Sequence, residues 1–190
     1  MVFYYAIKIS KTICSDGKQS LRFVLYLKNI LGQNIVANSA NIKKMSFGPG
    51  KIVWSKPRSL FLKLNVDAAY NEDERAGASG AIIRDNMGGF VAASVLYIHH
   101  TSSASMAEAI AMKHGLELAN FIGCNAIEAE SDSLEVVQNC SGEEQIWNDA
   151  TAVYAECFTL AASIGKVEFK HCKRDCNKAA HEIARNGFFI

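Results

Sequence analysis

The feature that most constrains this fold is a change of hydrophobic period along one stretch of chain. From Leu60 to Tyr70 (LFLKLNVDAAY) apolar and polar residues alternate, with Leu62, Leu64 and Val66 on one face and Lys63, Asn65 and Asp67 on the other. A two-residue repeat is the signature of a half-buried strand, and this strand is expected to end in an acid. After the Gly77 and Gly80 punctuation, ASGAIIRD and GFVAASVLYI read as two further strands, joined by the turn-forming Asn86-Met87-Gly88-Gly89. Residues 103–122 (SASMAEAIAMKHGLELANFI) are instead rich in Ala, Leu, Met and Glu and are followed by Gly123, which predicts a helix and its stop. AIEAESD is then a strand, SLEVVQNC and IWNDATAVYAECFTLAASI are helices, VEFKHC is a strand, and a closing helix starts from Asp175. The order βββαβααβα predicts an α/β fold with a five-stranded mixed sheet and helices on both faces.

Charge divides the chain. Residues 1–60 carry ten Lys or Arg against the single acid Asp16, whereas residues 61–190 carry ten against eighteen acids. Together with the breakers SFGPGK and SKPRS, this predicts a basic, weakly structured arm over residues 1–58 and a folded domain over 59–190. Such an arm either attracts phosphate without regard to sequence or is a solvated leader that binds nothing. At 49% hydrophobic and 21% charged residues the chain has the composition of a folded protein. No apolar run approaches the roughly 18 residues a membrane span requires, and the opening MVFYYAIKIS lacks the basic start and cleavage site of a secretory signal. The six cysteines form no CxxC pair, which suits reduced thiols. An intracellular protein is expected, nuclear or cytoplasmic, working as a monomer away from membranes.

Three acids fall at the ends of expected elements: Asp67 after the first strand, Glu108 near the start of the long helix, and Asp132 where a strand passes into a helix. Carboxylates brought together raise one another's pKa and stay ionised only beside cations. Magnesium, which favours oxygen ligands, is the natural one. Each acid also has a plain structural reading, because Ser105-Met106-Ala107-Glu108 and Asp132-Ser133-Leu134-Glu135 both fit the capping-box pattern. Glu108 also begins the row Glu108, Met112, Leu116, Ala119, which is otherwise apolar and should face the sheet.

The segments WSKPRSLFLKLNVDAAY, GASGAIIRDNMGGFVAAS, SMAEAIAMKHGLELANFIGCNAIEAESDSLEVV and VEFKHCKRDCNKAAHEIAR, in that order, resemble the plant ribonuclease H-like family, relatives of type 1 ribonuclease H and of retroelement ribonuclease H domains. The resemblance implies that Asp67, Glu108 and Asp132 are three acidic ligands of a pair of magnesium ions, with manganese as a substitute, set roughly 4 Å apart. It implies that His171 acts at the scissile phosphate and in product release, and that Ser103, Ser105 and Asn177 contact substrate or brace the site. The implied activity is hydrolysis of the RNA strand of RNA–DNA hybrids, leaving a 5′ phosphate and a 3′ hydroxyl, with the strand chosen through its 2′ hydroxyls.

The chain departs from that pattern in three places. Active relatives carry a fourth acid four residues after the position of Asn177, where this chain has His181. An imidazole binds metals but suits transition metals better than magnesium, so His181 is at most a partial substitute. Ala68 replaces a frequent Gly, and Ser141 to Glu156 carries four acids and no base where bacterial relatives present a basic handle. A rival expectation follows, of a weakened or inactive domain of retroelement origin that binds nucleic acid or protein without cutting. His171, Cys172, Cys176 and His181 also suggest zinc, but their spacing matches no familiar structural zinc site.

Overall fold

A computed structural model describes residues 53–142 and 148–189. The arm expected over residues 1–58 lies outside the described residues except for its last six. Those six belong to the folded unit, which begins at Val53 and so ahead of the expected boundary at residue 59.

The strands are β1 (Leu62–Asn71), β2 (Ala76–Arg84), β3 (Phe90–Ile98), β4 (Ala126–Ser131) and β5 (Lys166–His171). The helices are α1 (Ala104–Phe121), α2 (Leu134–Ser141), α3 (Thr151–Ile164) and α4 (Lys178–Asn186), with single 3-10 turns at Arg174–Cys176 and Gly187–Phe189. The sheet order is β3-β2-β1-β4-β5, with β1 to β3 antiparallel and β4 and β5 parallel to β1. This is the mixed five-stranded sheet that the alternating periods predict. Among the described residues no helix is long and apolar enough to cross a membrane.

Both faces of the sheet are covered, and glycines set how closely. At Gly115 of α1 a Cβ would collide with Val66, so α1 rests directly on the Leu64–Val66 face. At Gly80 of β2 a Cβ would strike the Ala180 carbonyl and the Ala184 amide, so α4 lies against the opposite face. Gly77 and Gly80 are therefore interior residues of β2 and not the punctuation expected ahead of it. The apolar core under α1 includes Leu64, Val66, Ile83, Met112, Leu116 and Ile127, each fully buried. His114 is buried in the same interface, its two ring nitrogens 2.8 and 2.7 Å from the hydroxyls of Ser79 and Ser94.

The β2–β3 turn forms at Asn86-Met87-Gly88-Gly89 as expected. The Asp85 carboxylate accepts from the Met87 and Gly89 amides at 2.8 and 2.7 Å, and Gly88 takes the left-handed φ of 85°. Asp67 does not end its strand, because β1 continues to Asn71. Its parallel pairing with β4, however, runs only from Leu62↔Ile127 to Asn65↔Glu130. Beyond that point β1 pairs with β2 alone, and Asp67 stands where the two parallel neighbours part. A crevice beyond the carboxyl ends of parallel strands is the usual location of a site in open α/β sheets.

Candidate metal and nucleic-acid site

At that parting, side chains from four elements converge. Asp67 comes from β1, Glu108 from the first turns of α1, Asp132 from the residue after β4, and Asn177 and His181 from the start of α4. Both capping readings fail by position. Ser103, not Ser105, caps α1 by accepting from the Met106 amide at 3.1 Å, and Ser133, not Asp132, caps α2 by accepting from Val136 at 3.4 Å. Glu108 and Asp132 are thereby left to the crevice, and the row Met112, Leu116, Ala119 behind Glu108 is fully buried.

Burial dominates the electrostatics. It raises the Asp67 pKa to about 6, with the nearby Asp132 charge pushing the same way and the His181 hydrogen bond opposing. Burial, then Asp67 and Asp132, raise Glu108 to about 8 against the restraint of a bond from the Ala68 backbone. Burial also works upward on Asp132, but hydrogen bonds from Asn177, Asp67 and Arg174 outweigh it and hold its pKa below the usual carboxylate value. Without a metal, then, Asp132 carries the charge and Glu108 keeps its proton at neutral pH, while Asp67 takes one up only as pH falls toward 6.

Each neighbour has a definite role. Asn177, 1% exposed, donates to the Val66 carbonyl at 2.8 Å and to Asp132 Oδ1 at 2.9 Å. It ties β1 to the residue after β4 and braces the site through Nδ2, while its Oδ1 is buried with no hydrogen-bond partner among the described residues. His181 Nδ1 is 2.7 Å from Asp67 Oδ2. His171, exposed, has Nε2 3.3 Å from the Asp132 backbone oxygen. The Ser105 hydroxyl donates to Glu135 Oε2 at 2.6 Å, and Asn148 donates to Glu135 Oε1 at 3.0 Å. With Ser103 capping and Ser105 on Glu135, both serine hydroxyls expected at substrate already have protein partners.

Sequence reasoning missed Arg174, whose Nε lies 3.3 Å from Asp132 Oδ2, and Glu135. The run Lys-His-Cys-Lys-Arg was the available signal for the first. Nothing in the sequence singled out the second, which was read only as half of a capping box.

Among the described residues no three His, Cys, Asp or Glu side chains are gathered as a ready-made ligand set. Of Asp67, Glu108 and Asp132, the first is bonded to His181 and the third to Asn177 and Arg174. Their chemistry nevertheless fits a hard cation. All three offer carboxylate oxygens, and Glu108 Oε2 is buried with no hydrogen-bond partner, a situation that costs free energy until something positive or protic meets it.

Comparison with known proteins agrees with this architecture. Among solved structures, a ribonuclease H1 from the halophilic archaeon Halobacterium salinarum superposes with a TM-score of 0.64 at 22% identity, over 67% of this chain and 97% of that one. The N-terminal ribonuclease H domain of a Mycobacterium tuberculosis protein gives 0.64 at 20% identity, over 69% and 95%. LC11 ribonuclease H1, solved in complex with an RNA/DNA hybrid, gives 0.61 at 20% identity, over 66% and 94%. At such identities the likeness establishes the fold. A search of curated proteins gives no match. The reverse transcriptase-like family model matches residues 65–187, from the strand that carries Asp67 to the helix that carries His181, and the chain therefore belongs to this ribonuclease H-like family.

Proposed function

We propose that the chain is a metal-dependent endonuclease acting on the RNA strand of RNA–DNA hybrids, with Asp67, Glu108 and Asp132 as its acidic centre. The observation that carries this is the deficit of positive charge at the crevice, where three carboxyl groups meet and one oxygen of Glu108 is buried without a partner. The ribonuclease H1 neighbours support it, one of them bound to an RNA/DNA hybrid.

Asp67, Glu108 and Asp132 would hold magnesium, or manganese in its place, which supplies the Lewis acidity that phosphodiester hydrolysis needs. The remaining roles belong to the chain itself. Glu108 would give up its proton to hold a cation, so binding would strengthen as pH rises toward 8. Asn177 fixes the Asp132 carboxylate against β1. His171, at the rim beside Asp132, is placed to exchange a proton between its ring and a phosphate oxygen.

A non-cutting nucleic-acid-binding module is the second reading. It is favoured by His181 on Asp67 and Arg174 on Asp132, protein partners that occupy two of the three acids. Labelled hybrid incubated with magnesium or manganese separates the two readings. Cleavage that falls at least about a hundredfold in Asp132→Asn, alongside lost calorimetric magnesium binding, supports the nuclease. Absence of metal-dependent cutting, or cutting unchanged in the variant, rejects it.

A further inference from the structure

Residues 61–190 carry eighteen acids and ten bases, so a polyanion must be met by a local concentration of positive charge. Most of the ten bases are already committed. Lys63 is buried against Glu128 and Glu130, Lys113 pairs with Glu156 and Glu117, and Lys170 pairs with Glu128 and Glu168. Arg84 is largely buried over the Trp54 ring, Lys166 lies over Phe61, and Arg185, in an exposed pair with Glu182, sits in the last turn of α4, beyond the residues that contact the acid site. Of the remaining four, Lys173, Arg174 and Lys178 fall within six residues, all exposed, on the connector between β5 and the first turn of α4.

That connector adjoins the acid site directly. His171 at its start contacts the Asp132 backbone, and Asn177 near its end holds the Asp132 carboxylate. Between them the Arg174 side chain is 85% exposed, and its contact with Asp132 runs through Nε. The terminal amino groups of the guanidinium are left for a phosphate, which Arg grips by two parallel hydrogen bonds. Lys178 pairs with Asp175 at 2.8 Å, but both side chains are 69% exposed, and an exposed pair is weak enough to exchange partners.

We infer that Lys173, Arg174 and Lys178 form a phosphate-gripping edge that holds the backbone of a nucleic acid against the Asp67–Glu108–Asp132 crevice. Arg174 is the hinge of the arrangement, anchored to the site by one edge of its guanidinium and open to the phosphate on the other. The edge reads charge and spacing without base sequence. It also takes the place of the basic handle missing between Ser141 and Glu156. The inference rests on the nucleic-acid reading given above and adds the surface through which that reading operates.

The test measures binding of a fluorescent RNA–DNA hybrid to the full chain by anisotropy, with a chelator present so that nothing is cleaved, across a series of salt concentrations. The basic N-terminal region is common to all variants, so differences between them report on the edge. Arg174→Gln and the pair Lys173→Glu with Lys178→Glu should each weaken binding on the order of threefold to tenfold. Each lost phosphate contact should also lower the slope of log affinity against log salt by about one. Arg174→Lys should restore the slope but only part of the affinity, because it keeps the charge and loses the fork. Lys166→Gln, one charge removed at the far end of β5, should match the unaltered chain. Melting temperatures within about 2 °C of the unaltered chain would show that the variants are folded. If the unaltered chain binds hybrid while the edge variants keep its affinity and slope, this inference is overturned. If the unaltered chain binds no hybrid at any salt concentration, it is the nucleic-acid reading itself that fails.

Discussion

Two clusters of acids lie along β1 and β4, a few residues apart, and they differ in the number of cations that answer them. In the first, Glu128 and Glu130 of β4 face Lys63, whose Nζ is 3.6 and 2.5 Å from their oxygens. Arg58 and Lys170 reach Glu128 at 3.0 and 3.1 Å, and Asn65 donates to Glu130 at 3.0 Å. Trp54 closes this cluster from above, its Nε1 bonded to Asn65 Oδ1 at 2.9 Å and its ring under the Arg84 guanidinium at 3.7 Å. The second cluster has Asp67, Glu108 and Asp132 with one imidazole and one exposed guanidinium. Glu128 sits below the usual carboxylate value, burial notwithstanding, because Lys170 and Arg58 bond it, whereas Glu108 is pushed far above. Counting buried acids therefore does not locate function here. What distinguishes the site is a buried carboxyl, Glu108, one oxygen of which meets no hydrogen-bond partner among the described residues.

The contrast breaks first, and by the largest amount, at Lys63. Lys63→Met leaves Glu128 and Glu130 buried without their central cation and should cost about 3–5 kcal/mol in denaturant unfolding. A loss below about 1 kcal/mol would mean that the two clusters are not different in kind.

Glu108→Gln should act in the opposite direction and depend on pH. The folded pKa of Glu108, about 8, is raised above its unfolded value. The folded state then holds the extra proton, so the associated stability is fully present below about pH 4.5 and is lost as pH climbs through 8. The metal-free protein should weaken over that window by a few kcal/mol, and the variant should flatten the decline. Parallel pH profiles for the two proteins would contradict the assignment.

The smallest expected effect is that of Trp54→Phe, which keeps an aromatic ring under Arg84 and removes only the bond to Asn65. Asn65 Oδ1 still accepts from Arg84 at 2.7 Å, so the cost should be about 1 kcal/mol. A loss several times larger would show that the segment before β1 holds the charged cluster together through more than packing.

Much of this was legible in the chain because local patterns carry it. Alternation placed β1 to β3, composition placed α1, and the turn residues placed the β2–β3 hairpin. Where the reading slipped, a contact distant in sequence had decided the matter. Gly80 looked like punctuation because its use, a close approach by α4, is visible only once α4 lies across β2. The boundary near residue 59 moved to Val53 because Trp54 and Arg58 find partners on strands far along the chain. Ser105 looked like a cap until Glu135, thirty residues away, took its hydroxyl.

By itself, then, the sequence determined the periodicities, the element order, and the acids at Asp67, Glu108 and Asp132 that its family resemblance brought together. Tertiary structure alone decided that β1 and β4 part just before Asp67, and that Asn177 joins the two sides of the gap. It alone decided that one acidic cluster is neutralised while its neighbour is not. The physical reason is range. Backbone propensity and hydrophobic period act over a few residues, whereas the ionisation of a buried carboxyl depends on which charges the fold brings within a few ångströms, whatever their separation along the chain.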